Sequence, residues 1–466
     1  MVSMSKQKES LQRQLLHRNF HIPNRLYNWF YHLIMVDIQL KKHNPVVHRI
    51  DDPRTEKEGA IVLWNHLSRL DHSYIQAVMY PRPFNMVAGY CEFFRSHLQW
   101  AFKRMSILPK KNFCVDVFGV KAILSIIKKK GIVTMSPEGL ATVTGINENF
   151  IEGVGKLIKH CKVPVYFARF DGQALVAPVF SRYYREGGRS EVTVYKMFTK
   201  EDIMTLSPEE IEDKLRTEFG HNDYEYQEKN HLKWDTKGQG CDGMHDICYK
   251  CPSCGEEFHM HGEGDVIKCD ACGFEAKCNE YLELIPNKEI KDMPKYPSDW
   301  VIMERKDIIK QIRENPDFSF SFKTTIGIQP PDHYVKSKDH AAEVVGEGTF
   351  TLDHKGMHYD GTKLGDPYHI DLSYETYYRL IFEVNTHMFA LYIDDEYVEF
   401  LPEERVAFKA DLICSEMNRL HFKSWPPLER DDYLYLMSEP GMYEELMKAK
   451  KADPSEYEDY NPDEKW

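Results

Sequence analysis

Residues 61–71 have the sequence Ile61-Val62-Leu63-Trp64-Asn65-His66-Leu67-Ser68-Arg69-Leu70-Asp71. The first four are apolar, a pattern that predicts a short buried strand. His66 and Asp71 follow it and are separated by four residues, so both side chains are expected near one strand-to-helix corner. Functional residues of open α/β sheets collect where strands end. The stretch therefore indicates both a fold class and a candidate site.

The surrounding sequence repeats this arrangement of short apolar runs between helical patterns. Residues 116–130 have apolar residues at helical spacing and end in three lysines before Gly131, as helix C-termini often do. A second helix is predicted from a capping box at Ser207 to about Phe219. Further strands are predicted at residues 84–88, 132–135, 163–168, 175–180 and 191–198. Strands that alternate with helices predict an α/β sheet with parallel pairs.

The His66–Asp71 pair has the chemistry needed to remove a proton from a hydroxyl group. Neutral imidazole is the side chain best matched to general-base catalysis near pH 7. A nearby carboxylate fixes the imidazole tautomer and stabilises the imidazolium that forms. From these two residues alone, a surface or helix-capping role remains open as the alternative.

A second polar corner strengthens the catalytic interpretation. Ser136-Pro137-Glu138-Gly139 follows the predicted strand at 132–135, and Val163-Pro164-Val165 comes later. Asn65-His66-x-Ser68-x-x-Asp71 followed by these two blocks, in this order and spacing, resembles the glycerolipid acyltransferase family, typified by 1-acylglycerol-3-phosphate acyltransferases. The resemblance covers roughly residues 25–215.

The resemblance implies an enzyme of phospholipid biosynthesis with an acyltransferase-type sheet and flanking helices. His66 would be the general base on the acceptor hydroxyl, and Asp71 its orienting partner. The candidate substrate-binding residues are Asn65 and Ser68 in the first motif, with Glu138 and Gly139 contacting the glycerol phosphate. The donor would be a fatty acyl thioester of coenzyme A or acyl carrier protein. The acceptor would be a lysophospholipid, with 1-acylglycerol 3-phosphate as the leading candidate.

Two departures from the family pattern leave the acceptor open. Leu140-Ala141-Thr142 follows the second motif without the usual arginine, and the middle motif ends in Lys110-Lys111 where the family has a phosphate-binding arginine. Lysine neutralises a phosphate but lacks the bidentate fork of arginine. Lys110 and Lys111 are therefore candidate phosphate ligands, with an exposed charge pair as the alternative. Glycerol 3-phosphate and other lysolipids remain alternative acceptors.

Two Cys-x-x-Cys pairs predict a small zinc ribbon. The pairs are Cys251–Cys254 and Cys269–Cys272, and four thiolates make a closed tetrahedral Zn²⁺ site. A glycine after each pair suits the tight turn that such a knuckle needs. Because four protein ligands leave no open coordination position, this metal is expected to be structural rather than catalytic.

At 466 residues, the chain is long enough for two or three domains. Antiparallel strands closed by one helix in the last domain are similar to a pleckstrin-homology-like architecture, although no motif supports that likeness. The predicted boundaries are an N-terminal helical segment (1–58), the acyltransferase domain (59–220), a linker (221–246), the zinc ribbon (247–285), a second linker (286–299), a β-rich domain closed by a helix (300–440) and an acidic tail (441–466).

Charge is unevenly divided along the chain. Residues 1–200 carry 30 Lys and Arg against 15 Asp and Glu, whereas residues 201–466 carry 30 against 58, and the whole chain has a net charge of −13. A basic front half predicts contact with anionic phosphates, with a merely solvated surface as the alternative. Residues 24–40 predict a helix with several aromatic side chains, which is either interfacial on a membrane or packed on the core.

The sequence also bears on location and on competing functions. The start lacks the apolar region of a signal peptide, and no run of about 18 apolar residues is present. With cysteines spaced as metal ligands, this predicts a cytoplasmic protein held peripherally on the inner face of a membrane. The alternative class is a non-catalytic, zinc-containing adaptor that binds lipid phosphate. Nucleic-acid binding is disfavoured because the ribbon lies in the acidic half.

Overall fold

The computed structural model describes residues 9–148 and 153–421. Within these ranges the chain forms three sheets, one in an α/β domain, one in a small ribbon and one in an antiparallel C-terminal domain. The mixed α/β class predicted from the sequence is confirmed. The predicted acidic tail at 441–466, and residues 422–440 of the predicted β-rich domain, lie outside the described residues.

The first sheet is mostly parallel, as predicted. Its order is β1-β7-β6-β2-β5-β3-β4, and of its pairs only β6 with β7 is antiparallel. All five residues of β2 are buried, as expected for a strand covered on both faces. The strands are β1 (Val46–Arg49), β2 (Ala60–Trp64), β3 (Asn85–Gly89), β4 (Leu108–Lys110), β5 (Ile132–Met135), β6 (Val165–Asp171) and β7 (Glu191–Phe198).

Helices alternate with the strands of this sheet along the chain. The helix that begins at Pro208 has both reciprocal bonds of the predicted capping box, between Ser207 and Glu210. The helices are α1 (Leu11–Leu16), α2 (Arg25–His32, continued by a π-helical stretch, Leu33–Gln39), α3 (Asp71–Met79), α4 (Gln99–Arg104), α5 (Val117–Lys128), α6 (Val154–Cys161), α7 (Gln173–Val176), α8 (Lys200–Thr205), α9 (Pro208–Phe219) and α10 (Asp223–Asn230).

Two sequence predictions in this region are wrong. The apolar run at 175–180 is not a strand, because Gly172 adopts a left-handed conformation and turns the chain into the short helix α7. The Asp223 carboxylate accepts bonds from the backbone of Gly172 and Ala174 and stabilises that turn. The N-terminal segment is not separate from the sheet either, since β1 pairs with β7 through residues 46–49.

Helix α2 has an inverted arrangement of polar and apolar side chains. Its buried residue is Asn28, which is 1% exposed and donates to the Pro81 carbonyl. Leu26, Trp29 and Phe30 are 64%, 48% and 38% exposed. The apolar side of this helix therefore faces away from the core.

The predicted linker at 221–246 is a folded and partly buried segment. It contains α10, and Trp234 is buried with its indole N–H bonded to Gln227. Its polar residues suggested a solvated chain, but the Asp223 carboxylate accepts bonds from the buried backbone of Gly172 and Ala174. The second predicted linker, 286–299, ends inside a helix that starts at Pro297.

The ribbon and the C-terminal domain follow. The ribbon has four antiparallel strands, and the helix after it is tied to it by a bond from the Trp300 indole to the Lys250 carbonyl. Its elements are β8 (Met260–Glu263), β9 (Val266–Cys269), β10 (Glu275–Cys278), β11 (Leu284–Pro286) and α11 (Pro297–Glu314).

The C-terminal sheet is antiparallel throughout, in the order β15-β14-β13-β12-β18-β17-β16. Its closing helix, α12, was predicted and is buried from Ala407 to Asn418. The elements are β12 (Ser319–Ile328), β13 (Glu343–Asp353), β14 (Gly356–Lys363), β15 (Asp366–Leu372), β16 (Ile381–Glu383), β17 (Met388–Ile393), β18 (Glu396–Pro402) and α12 (Ala407–His421). The pleckstrin-homology likeness stays a prediction. Within the described residues, no helix combines the length and apolarity that crossing a membrane requires.

Candidate active site

His66 and Asp71 meet at the carboxyl end of β2. The Nδ1 atom of His66 lies 2.7 Å from Oδ2 of Asp71, and the histidine side chain is 29% exposed. Asp71 is almost completely buried and is the first residue of α3. With Nδ1 committed to the carboxylate, Nε2 is the ring nitrogen left for a substrate.

The Asp71 carboxylate is held rigidly by its own loop. Oδ2 also accepts from the Leu67 backbone N–H at 2.8 Å, while Oδ1 accepts from the Ser68 backbone at 3.1 Å and from the Ser68 hydroxyl at 2.8 Å. Its position in the first turn of α3 adds the favourable field of a helix N-terminus. The carboxylate is therefore fixed in the orientation that accepts the His66 Nδ1 proton.

Glu138 supports the backbone of His66. It is fully buried, and its Oε2 accepts the His66 backbone N–H at 2.5 Å, while Oε1 accepts from Glu148 N at 2.8 Å. Burial raises the pKa of this carboxyl well above its usual value, against the two backbone bonds, which lower it. The Thr142 N–H bonds the His66 carbonyl at 2.9 Å. The loop after β5 thus holds His66 from both sides.

The other candidate substrate-binding residues of the two motifs lie at different distances from the cavity, and their binding roles stay predictions. Glu138 and Asn65 do not line the cavity beside His66. Asn65 is buried and exchanges two bonds with the Phe170 backbone, which joins β2 to β6. Ser68 is buried behind Asp71. Gly139 does line the cavity, with a φ of 80° that favours glycine.

A cavity of about 420 Å³ opens beside His66. One part of its wall is apolar and is formed by Trp64, Val87, Val120, Ile123, Met135, Val154 and Leu157. The polar part is formed by His66, Lys110, Asn112, Asp116, Ser136 and Lys156. A ligand with an apolar chain and an anionic or hydroxylic end fits this division.

The two candidate lysines point in different directions. Lys110 lines the cavity, bonds the Lys111 carbonyl at 2.5 Å and lies 3.9 Å from Asp116. Burial lowers the pKa of its ammonium group. Lys111 instead contacts Asp395 of the C-terminal domain at 2.6 Å and lies over the rings of Tyr90 and Tyr392. Of the two lysines, Lys110 lines the cavity and Lys111 does not.

The four predicted metal ligands form one cluster. The sulfur atoms of Cys251, Cys254, Cys269 and Cys272 all lie within 4.8 Å of one another. The Cys251–Cys272 and Cys254–Cys269 sulfur distances are 3.8 and 3.9 Å. A tetrahedral Zn²⁺ with Zn–S bonds of about 2.3 Å separates its ligands by about 3.8 Å. The cluster could therefore hold a metal ion such as zinc.

Sequence reasoning missed several residues of the site. Trp64 is buried, lines the cavity, and its indole nitrogen has no hydrogen-bond partner among the described residues. Lys156 on α6 brings a second cation to the rim. Asn112 bonds the Gly139 carbonyl at 2.9 Å and joins the two loops that border the cavity. Trp64 and Asn112 adjoin the motifs at His66 and Lys111, so their position next to those motifs was the available signal. Lys156 has no such signal, because only the fold brings α6 to the cavity.

Comparisons with known proteins add little to this geometry. No family model and no curated protein matches the chain. Among solved structures, it is similar to the 1-acyl-sn-glycerophosphate (LPA) acyltransferase PlsC from Thermotoga maritima, with 15% identity and a TM-score of 0.33. The match covers 47% of this chain and 97% of that one. Because that TM-score is below the level of a shared fold, the assignment of function depends on the site itself.

Proposed function

We propose that this chain is an O-acyltransferase that moves a fatty acyl group from a thioester donor to the hydroxyl of a lysophospholipid, with 1-acylglycerol 3-phosphate as the leading acceptor. The donor is acyl-CoA or acyl-acyl carrier protein. The observation that carries the proposal is the His66–Asp71 pair, 2.7 Å apart, at a cavity that combines an apolar wall with cationic Lys110. The family resemblance of the motifs agrees with it.

The reaction needs only groups that the site supplies. Nε2 of His66 removes the acceptor hydroxyl proton as the oxygen attacks the thioester carbonyl. The new C–O bond forms, the C–S bond breaks, and the imidazolium returns its proton to the leaving thiolate. Asp71 stabilises the imidazolium through Nδ1. Attack is direct, so no acyl-enzyme intermediate is required.

Lys110 is our proposed phosphate contact within the cavity. Its ammonium group neutralises one charge without the two-point geometry of an arginine. Glycerol 3-phosphate and other lysolipids are therefore alternative acceptors. Zn²⁺ bound by the four ribbon cysteines is proposed to be structural, because the cluster offers four protein ligands.

We further propose that the enzyme works peripherally on the cytoplasmic, inner face of a membrane. The exposed apolar side chains of Leu26, Trp29 and Phe30 on α2 suit insertion among lipid headgroups. The excess of Lys and Arg over Asp and Glu in residues 1–200 suits anionic phospholipids. Both features favour the interfacial alternative for α2 over a core helix.

The test is an acyl-transfer assay on the full chain with a panel of lysolipids and glycerol 3-phosphate, each with both donors. His66→Ala should lower turnover by about 100- to 10,000-fold, the usual contribution of a general base. The matched control is His160→Ala, since His160 is exposed on α6 and does not line the cavity. Wild-type protein that binds lysolipid but transfers no acyl group would instead favour the adaptor alternative.

A further inference from the structure

A chain of bonds leads from the backbone of His66 into the C-terminal domain. The Glu138 carboxylate receives the backbone N–H groups of both His66 and Glu148, at 2.5 and 2.8 Å. The Glu148 side chain in turn accepts a bond from Nη1 of Arg379 at 2.7 Å. Arg379 immediately precedes β16 in the C-terminal domain. Glu148 and Glu138 therefore connect this arginine to the backbone of the proposed base.

Arg379 is itself firmly placed. Its side chain is 7% exposed, and its Nε lies 3.4 Å from Oδ2 of Asp411 on α12. The other oxygen of Asp411 accepts the Leu380 backbone N–H at 2.9 Å. The Arg379 guanidinium also lies 5.9 Å from the ring of Phe113, in the loop that borders the cavity. A buried cation with carboxylates on two sides is costly to disrupt from either side.

The location of Glu148 makes this contact relevant to catalysis. Residues 136–148 form the loop that holds His66 at both its N–H and its carbonyl. At its far end, Asn147 pairs with the backbone of His221. The Glu148 backbone N–H donates to Glu138 at 2.8 Å, so a displaced Glu148 would move the side chain that holds His66.

We propose that Arg379 is a positioning residue for the general base: it neutralises and holds Glu148, and through Glu138 it fixes the backbone of His66. This inference rests on the proposed function of His66. The C-terminal domain then belongs to the catalytic unit, and turnover depends on its correct seating against the loop at 136–148.

The first measurement is steady-state kinetics of the full-length Arg379→Gln variant. We expect kcat to fall by about tenfold to a hundredfold, as for a small displacement of a catalytic group, with KM changed by less than about twofold. Arg379→Lys keeps the charge and should recover part of the loss. The matched control is Glu383→Gln, which removes a different ion pair between the same two domains, from Glu383 to Arg95 at 3.0 Å. It should leave kcat within about twofold of wild type.

A double-mutant cycle separates this chain of bonds from general loosening. Glu148→Gln should lower kcat in the same direction as Arg379→Gln, and the double variant should be no slower than the worse single variant, because both changes break the Arg379–Glu148 contact. Arg379→Gln also removes the contact with Asp411, so it can be the worse of the two. Additive losses, or an equal loss in Glu383→Gln, would overturn the inference. If Arg379→Gln does not fold, Glu148→Gln decides, since it preserves the shape of the side chain.

A readout without turnover distinguishes the two proposals. Diethyl pyrocarbonate modifies accessible neutral imidazoles, and peptide mass spectrometry measures its rate at His66. We expect Arg379→Gln and Glu148→Gln to change that rate by at least about threefold relative to wild type, as displacement of the ring alters its access. Glu383→Gln should not change it. An unchanged rate at His66 overturns the positioning role even if wild-type protein is active, whereas an inactive wild type refutes the proposed function alone.

Discussion

Replacing Asp71 with asparagine tests the proposed base more sharply than removing His66 does. The substitution keeps the shape of the side chain and removes its charge. In the structure each carboxylate oxygen accepts two bonds, Oδ2 from His66 and Leu67, and Oδ1 from two groups of Ser68. An amide must place its NH₂ group at one of these positions.

Both orientations have a cost that the structure defines. With NH₂ at the Oδ2 position, it faces the Leu67 N–H and donates to His66 Nδ1, which leaves the proton on Nε2 and prevents Nε2 from acting as a base. With NH₂ at the Oδ1 position, it faces the Ser68 N–H, and the neutral amide stabilises the imidazolium less. An unsatisfied buried donor costs about 1–3 kcal/mol of unfolding free energy. The wrong tautomer, or the weaker stabilisation, should lower kcat by about 100- to 10,000-fold.

The assay compares kcat and urea unfolding for Asp71→Asn, Ser68→Ala and wild type. Ser68→Ala removes one bond to the same carboxylate at 2.8 Å but leaves the His66 contact. It should cost about 1 kcal/mol of stability and change kcat by less than about fivefold. If Asp71→Asn folds and turns over within about fivefold of wild type, imidazole orientation by Asp71 is not part of the mechanism.

Three further results are expected. Elemental analysis should find about one zinc per chain. The Cys254→Ser variant should lose the zinc and have a less stable ribbon, because thiolate–zinc bonds stabilise such modules. Folded, active protein without metal would contradict this prediction. The double variant Trp29→Ala with Phe30→Ala should co-sediment less with anionic vesicles even at low salt. Salt at about 0.5 M should weaken the binding of wild-type protein by screening its charges. The control variant is Val344→Ala, since Val344 is an exposed apolar residue of the C-terminal domain. Lys110→Ala should raise KM about tenfold or more for a phosphate-bearing acceptor, as expected for the loss of one charge-assisted bond, and less for an uncharged acceptor. An equal rise in KM for both acceptors would show that Lys110 does not bind the phosphate.

The sequence predicted those parts of the fold whose cause is local. The apolar run at 132–135, the apolar spacing of α5 and the capping box at Ser207 each act within a few residues, and each element forms where it was expected. The left-handed residue after α5 is Lys130 rather than Gly131. The close approach of Asp71 to His66 has the same origin, since one tight loop and the start of α3 bring them together. Each Cys-x-x-Cys pair is likewise a local turn. The strands β8, β9 and β10 then bring the two pairs together.

The roles assigned to polar residues were less predictable. Asn65 and Glu138 belong to motifs at the site, yet their side chains bond to backbone and do not line the cavity. Both residues occur at strand ends, where buried backbone carbonyl and N–H groups also need hydrogen-bond partners. Spacing alone cannot separate these two uses, because either one places the same polar residue at the same corner.

Long-range partners explain the remaining differences. Residues 221–246 are polar enough for a solvated linker, but Asp223 caps the turn before α7 and Gln227 bonds the indole of Trp234. Arg379 and Glu148 lie 231 positions apart in the sequence, with nothing near either to indicate the other. Burial of a polar group is favourable only when its partner is present, and that partner is supplied by the tertiary fold. The sequence alone therefore cannot tell whether a polar segment is exposed to solvent or forms a buried hydrogen-bonded network. In this chain, such a buried network connects the C-terminal domain to the proposed catalytic base.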